Sequence, residues 1–259
     1  MEKPILLEIR ENIAIITLNR PSVFNSFNRE MALLLQGILD ECNANKNLRC
    51  IYITGKGKAF SAGQDIAELT QENPPTISQI LVEHYNPIVT RIREIELPVV
   101  CAVNGVAAGA GANIALACDI VVATESASFI QAFSKIGLIP DSGGTFNLPR
   151  LIGFQKASAL MMLGDKVIAK DACDMGMIYK WFADDVFAES SFRIAETIAS
   201  MPTKGLIYTK QLLNKTFENN LYQQLNLEDE YQKQAGATKD YTEGINAFLE
   251  KRKPNFIGE

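Results

Sequence analysis

PVVCAVNGVAAGAGANIALACDIVVAT, from Pro98 to Thr124, is the most informative stretch of this chain. Its ends, PVVCAV (Pro98–Val103) and DIVVAT (Asp119–Thr124), are short runs of β-branched and small apolar residues, the composition of strands buried on both faces. Between them Gly105, Gly109 and Gly111 mark a turn, and the residues from Ala110 to Ala117 follow a helical pattern. Strand, glycine-rich turn, helix and strand in this order predict mainly parallel strands joined by helical crossovers. The glycines invite a dinucleotide-binding reading, but position 114 is Ile where G-x-G-x-x-G needs its third glycine. Small residues also let a helix pack closely on a sheet, and that reading accounts equally for Ala107, Ala108, Ala110 and Ala112.

The same alternation extends in both directions. LLEIR and IAIITL flank Glu11-Asn12 as an opening hairpin, and Asn28 to Ala44 carries Met31, Leu34, Leu35, Ile38, Leu39 and Cys42 at helical spacing. CIYIT (Cys50–Thr54) is a further strand, and Ile77 to Ile95 a further helical pattern. Thr70–Thr76, with Pro74-Pro75, reads as a mobile loop. Beyond about Pro140 helical patterns take over: Phe154–Leu163, Ala169–Met175, Phe187–Ser200, Pro202–Phe217, Leu221–Ala237 and Tyr241–Lys251.

Composition excludes several classes of function. With 259 residues, 47% of them hydrophobic, the chain can bury a sizeable core, and a net charge of -5 gives no global field for nucleic acid or an anionic membrane. No apolar run reaches the roughly 20 residues that cross a bilayer, so a soluble protein without a targeting segment is expected. The five cysteines (Cys42, Cys50, Cys101, Cys118 and Cys173) form no C-x-x-C pair and read as buried, reduced thiols of a cytoplasmic protein. The only histidine, His84, has no G-x-S-x-G elbow to serve, and no metal site is expected from the spacing of its possible ligands.

Three segments together point to a specific chemistry: KAFSAGQDI (Lys58–Ile66), AVNGVAAGAGANIALACDI (Ala102–Ile120) and FSKIGLIPDSGGTFNLPR (Phe133–Arg150). In this order, between NRP (Asn19–Pro21) and the tail EGINAFLEKRKPNF, they resemble the crotonase, or enoyl-CoA hydratase/isomerase, superfamily. The resemblance implies an α/β fold, with a spiral of ββα turns over residues 1–200 and a C-terminal helical trimerisation region over 201–259. It also implies a homotrimer or dimer of trimers acting on an acyl-CoA, with no cofactor other than the CoA of the substrate.

Thioester chemistry explains why such a family needs these glycines. Removing a proton beside the carbonyl puts negative charge on the thioester oxygen, and two preorganised backbone N–H donors stabilise it. Ala62-Gly63 and Gly109-Ala110-Gly111 permit the close approach, and the family pattern makes the donors the N–H groups of Gln64 and Ala110. The hydratase branch places two glutamates over the substrate, at positions that match Asn113 and Phe133 here. Neither residue has a usable acid/base pKa.

A replacement carboxylate is Asp141 in IPDSGGT. Aspartate is also a favoured helix N-cap, here over Ser142–Thr145, and that plain alternative competes with a catalytic role. The phrase FSKIGLIPDSGGT resembles the subgroup that isomerises ring 1,2-epoxyphenylacetyl-CoA in phenylacetate degradation. By the same residue-by-residue matching, Ala62, Asp65 and Ile66 surround the adenine end of CoA and Val23 and Phe24 contact it from the N-terminal loop. Lys251, Arg252 and Lys253, near Phe256, face its phosphates, in a neighbouring subunit if not their own. Asp65 also suits a turn-stabilising role, the basic tail a solvated one, and Phe129, Ile130 and Phe133 either an acyl pocket or plain core. Isomerisation is the leading expectation, with a residual hydratase and a CoA-binding scaffold subunit as its rivals.

Overall fold

A computed structural model describes residues 2–259. The opening hairpin forms from β1 (Ile5–Arg10) and β2 (Ile13–Leu18), turning at Glu11 with φ 54°. The remaining strands are β3 (Cys50–Gly55), β4 (Ala59–Ser61), β5 (Val99–Val103), β6 (Val106–Ala108), β7 (Ile120–Thr124), β8 (Ser128–Ile130), β9 (Lys166–Ile168) and β10 (Lys180–Phe182).

They build two sheets, one ordered β1-β2-β3-β5-β7-β10 and one ordered β4-β6-β8-β9. The β1–β2 and β8–β9 pairs are antiparallel, and every other pairing is parallel. Successive turns of the chain place one strand in the large sheet and the next short strand in the small one: β3 then β4, β5 then β6, β7 then β8. This is the expected ββα spiral. All of β5 is buried, with Val99, Cys101 and Val103 in the main core and Val100 and Ala102 under the Phe187–Ala199 helix on the other face. Burial on both faces is why PVVCAV shows no alternation.

The Arg29–Ala44 helix starts where expected, because the Asn28 side chain accepts from the Met31 N–H at 3.0 Å. It buries the stripe Met31, Leu35, Ile38, Leu39 and Cys42 against the core, with Leu34 half-buried beside it. From Ile77 to Glu94 the chain is helical, but Ile80–Tyr85 has π geometry, in which Ile80, His84 and Tyr85 are buried. The residues from Thr70 to Thr76 are irregular.

Two expectations need correction. The region after Pro140 is not wholly helical, since β9 and β10 lie within it, and Gly144–Ile152 is helical despite two glycines nearby and an internal Pro149. Strands of three residues are too short to show a period, and the helix is set by its glycine-rich entry rather than by propensity. Cys173 is only half-buried, while the other four cysteines are buried.

The Thr203–Lys215 helix docks on the spiral through Lys210, whose ammonium donates to the Ile92 and Leu97 carbonyls at 2.8 and 3.0 Å and pairs with Asp119 at 2.8 Å. Among the described residues no helix is long and apolar enough to cross a membrane.

Candidate active site

The end of β4 and the turn before the Ala110–Leu116 helix meet at two glycines. Gly63 has φ +88°, and a Cβ there would stand 2.8 Å from the Ala108 carbonyl oxygen and 3.3 Å from the Ala110 nitrogen. A Cβ on Gly111 would stand 2.6 Å from the Ser61 carbonyl oxygen. Gly109, with φ 52° and ψ -127°, takes a conformation that residues with a side chain avoid and aims the following amide. No side chain fits between the two turns, so their backbones lie together.

Each candidate donor belongs to a peptide unit whose carbonyl is already held. The Gly63 carbonyl accepts from the Phe27 N–H at 2.7 Å, and the next amide along, Asp65, donates to the Phe27 carbonyl at 2.8 Å. In a planar trans peptide the N–H points opposite to the C=O, so the Gln64 N–H is directed away from Phe27. The Gly109 carbonyl accepts from the Asn113 N–H at 3.1 Å, and Ala110 is the first residue of its helix, where the N–H has no intrahelical acceptor. Among the described residues neither the Gln64 nor the Ala110 N–H donates to a protein acceptor. Both amides are therefore free and fixed, as donors to a developing oxyanion must be.

Asp141 is half-buried at the entry to the Gly144–Ile152 helix. Its carboxylate accepts from the Ser142 hydroxyl at 2.8 Å, and burial, only partly offset by that bond, raises its pKa above the ordinary aspartate value. The helix is capped by Gly143 without any side-chain hydrogen bond, so the N-cap alternative for Asp141 is not what the structure shows. Only its main chain serves the turn, the carbonyl accepting from the Gly144 N–H at 2.8 Å. Ser142 at φ 51° and Gly143 at φ 74° bend the backbone so that the carboxylate is left uncommitted to the helix.

Positions 113 and 133 behave differently from each other. Asn113, expected to touch the substrate, is 1% exposed, and both ends of its amide are taken. Its Nδ2 donates to the Asp141 carbonyl at 2.9 Å, and its Oδ1 accepts from Gln131 Nε2 at 2.7 Å. Asn113 thus holds the Asp141 loop rather than lining a cavity. Phe133 packs its ring beside the Gly109 turn, where a Cβ on Gly109 would be 3.7 Å from the ring edge. Phe129 belongs to the core.

Of the residues expected around CoA, several lie together. The Ala62 N–H donates to the Phe24 carbonyl at 2.9 Å, which joins the N-terminal loop to the Gly63 turn. Val23, Phe24 and Ile66 are exposed large apolar residues on this rim, at 37%, 53% and 56%. The Asp65 carboxylate is engaged by Arg20 at 2.8 Å and caps the Ala67 N–H at 3.1 Å, so its side chain performs the turn-stabilising role.

Lys253 and Phe256 are not brought to these residues within the chain. The Phe256 carbonyl accepts from Arg49 at 2.8 Å, and the next two amides, Ile257 and Gly258, bind the Asp240 carboxylate at 2.7 and 2.8 Å. The tail is strapped across the helical region, with Arg252 paired to Glu243 and Glu250.

Two residues that the sequence reading passed over belong to this region. Tyr85 donates to Gln64 Oε1 at 2.6 Å, and Gln131 carries Asn113. Tyr85 lies in a helical pattern where a buried aromatic reads as core, and a lone glutamine has no motif. Among the described residues no group of three or more His, Cys, Asp or Glu is placed to hold a metal ion.

Residues 8–259 match the family model described as enoyl-CoA hydratase/isomerase. The chain is 43% identical over 258 residues to the 1,2-epoxyphenylacetyl-CoA isomerase of Escherichia coli (strain K12), covering 98% of both chains. It is 41% identical to a probable enoyl-CoA hydratase of Rhodobacter capsulatus, covering 97% of this chain and 96% of that one. Among solved structures it is similar to a putative enoyl-CoA hydratase/isomerase from Mycobacterium abscessus, with TM-score 0.94, 33% identity and coverage of 98% and 100%. An enoyl-CoA hydratase from Bacillus anthracis gives TM-score 0.92 at 33% identity, covering 99% of this chain and all of that one.

Proposed function

Because this chain belongs to the enoyl-CoA hydratase/isomerase family, we propose that it isomerises an acyl-CoA thioester between the Gln64 and Ala110 amides, with Asp141 as its one acid/base. The observation that carries the reading is the carboxylate of Asp141, its pKa raised by burial and its side chain free of the helix cap, in a chain whose positions 113 and 133 hold an amide and a phenyl ring. Hydration needs one group to activate water and another to protonate carbon. Isomerisation needs only one, which takes a proton from one carbon and returns it two carbons along. Charge that develops on the thioester oxygen meets two donors whose removal costs about 3–4 kcal/mol each in comparable sites.

The substrate we favour is a ring 1,2-epoxide of phenylacetyl-CoA, converted to the ring-expanded oxepin thioester; it is the substrate in the name of the E. coli relative. A 3-enoyl-CoA, converted to its conjugated isomer, is the second. Phe133 beside the Gly109 turn suits either, because an apolar wall keeps water from the enolate. No further cofactor is needed for this chemistry. Exposed apolar residues on the C-terminal helices, among them Leu221, Tyr222, Phe248 and Leu249, support assembly of copies into a trimer or a dimer of trimers.

Chromatographic separation of substrate from product, followed by their ultraviolet spectra, tests the reading on both substrates, since isomers share one mass. Wild-type protein is expected to turn over at least one, and Asp141→Asn to lose that activity. Wild-type rates in Asp141→Asn would remove the role of Asp141, and turnover of neither substrate would favour a CoA-binding scaffold. Loss of conjugated absorbance from crotonyl-CoA would favour the hydratase.

A further inference from the structure

Tyr85 lies outside every motif that points to the active site, yet its hydroxyl reaches the side chain of the residue that supplies one of the two amides. It donates to Gln64 Oε1 at 2.6 Å, and Gln64 Nε2 in turn donates to Glu68 Oε2 at 2.8 Å. Both ends of the Gln64 amide are thereby fixed, one by the π-helical segment Ile80–Tyr85 and one by the short helix Ile66–Leu69. The Tyr85 ring is itself immobilised, fully buried and packed edge-on to Phe27 at 6.2 Å between ring centroids. Phe27 is the residue whose N–H holds the Gly63 carbonyl.

Gln64 thus has two independent anchors around a hinge-prone neighbour. Gly63, at φ +88°, carries no side chain to resist rotation of the Gly63–Gln64 peptide. Phe27 holds the carbonyl side of that peptide, and Tyr85 holds the side chain on its far side. A π-turn within a helix is a recurrent means of placing a functional side chain, and here it ends on Tyr85.

We propose that Tyr85 is a positioning residue for the oxyanion amide, acting through the Gln64 side chain to hold the Gln64 N–H on the thioester oxygen; this rests on the function proposed above. Tyr85 suits a permanent donor. Burial, and then the nearby carboxylates of Asp141, Glu68 and Asp65, push its pKa well above the ordinary tyrosine value, so its proton stays in place across the working pH range.

The test is Tyr85→Phe, which keeps the ring and removes only the donor, read by isomerase kinetics and by the infrared carbonyl band of bound phenylacetyl-CoA labelled with 13C at the thioester. In wild-type protein the band is expected to lie below its position in free ligand, because two donors polarise the carbonyl. In Tyr85→Phe part of that shift is expected to disappear, and kcat to fall about 10- to 100-fold with KM changed little, as expected when an oriented group is displaced by up to an ångström. Gln64→Met, which keeps the backbone N–H, is expected to behave alike, and the double variant to be no slower than either single one. A Tyr85→Phe protein with the wild-type band and kcat overturns the inference, whatever its melting temperature. So does one altered in KM alone. An unshifted band in the wild-type protein would instead overturn the oxyanion reading on which the inference rests, and the inference with it.

Discussion

The side-chain amide of Asn113 donates to the main-chain carbonyl of Asp141 at 2.9 Å, so the position where hydratases of the family place a carboxylate holds the loop that carries the carboxylate of this chain. Gly144 leaves room for this contact, because a Cβ there would stand 2.3 Å from Asn113 Nδ2.

Asn113→Asp is therefore expected to impair the protein, although it restores a carboxylate. The Asp141 carbonyl would keep the Gly144 N–H but lose the Asn113 donor and face a carboxylate in its place. Losing that hydrogen bond and setting two acceptors against each other costs about 1–3 kcal/mol. Urea unfolding should show a lower midpoint at unchanged slope, and isomerase kcat should fall because the Asp141 loop loses its tether.

Gly63→Ala is expected to remove activity more than stability. The methyl group would stand 2.8 Å from the Ala108 oxygen and 3.3 Å from the Ala110 nitrogen, at φ +88°. It would force the two turns apart and misplace both amides, for a loss of about 10²–10³ in kcat, the scale of removing one oxyanion donor. The strained backbone adds about 1–3 kcal/mol of destabilisation. Steady-state kinetics alongside circular dichroism separates the two effects.

The pH dependence of Asp141 follows from its environment. Burial raises its pKa above 3.8, so the acid limb of kcat/KM, below which the carboxylate is protonated and cannot accept a proton, should lie above that value. The same shift has a stability consequence of definite sign. The folded state binds the proton more tightly than the unfolded state, so the stabilisation is fully present below the unfolded value of 3.8 and is lost as pH rises through the folded pKa. Near neutral pH the buried charge is a cost, and Asp141→Asn, which removes it, is expected to melt higher than wild type while losing activity. An equal or lower melting temperature would show that the burial penalty is relieved in another way.

Much of the architecture is legible in the sequence. The stripe Met31, Leu35, Ile38, Leu39 and Cys42 and the uniformly apolar Val99–Val103 report their burial directly, because a helix with one buried face and a strand with two have distinct patterns. The strands β4, β6, β8 and β9 are three residues each and carry no period, so the second sheet was invisible. At the site, Gly63, Gly109 and Asp141 stand out in the sequence because each is tied to a residue type: glycine alone takes those angles beside another backbone without strain, and a carboxylate is one of the few side chains able to exchange a proton. Tyr85 and Gln131 were not, since a hydrogen bond from Tyr85 to Gln64 is a relation between two points distant along the chain.

By itself the sequence determined the family, through motifs in three segments, and the alternation of mainly parallel strands with helices, through local pattern. Tertiary structure alone decided that Asn113 is a brace, that Asp65 is taken by Arg20, that Gly143 rather than the Asp141 side chain caps the helix and that the Phe256 carbonyl is held by Arg49. Each of these is a competition for a hydrogen-bonding partner. Its outcome depends on which groups folding brings within about 3 Å, a distance no spacing along the chain encodes.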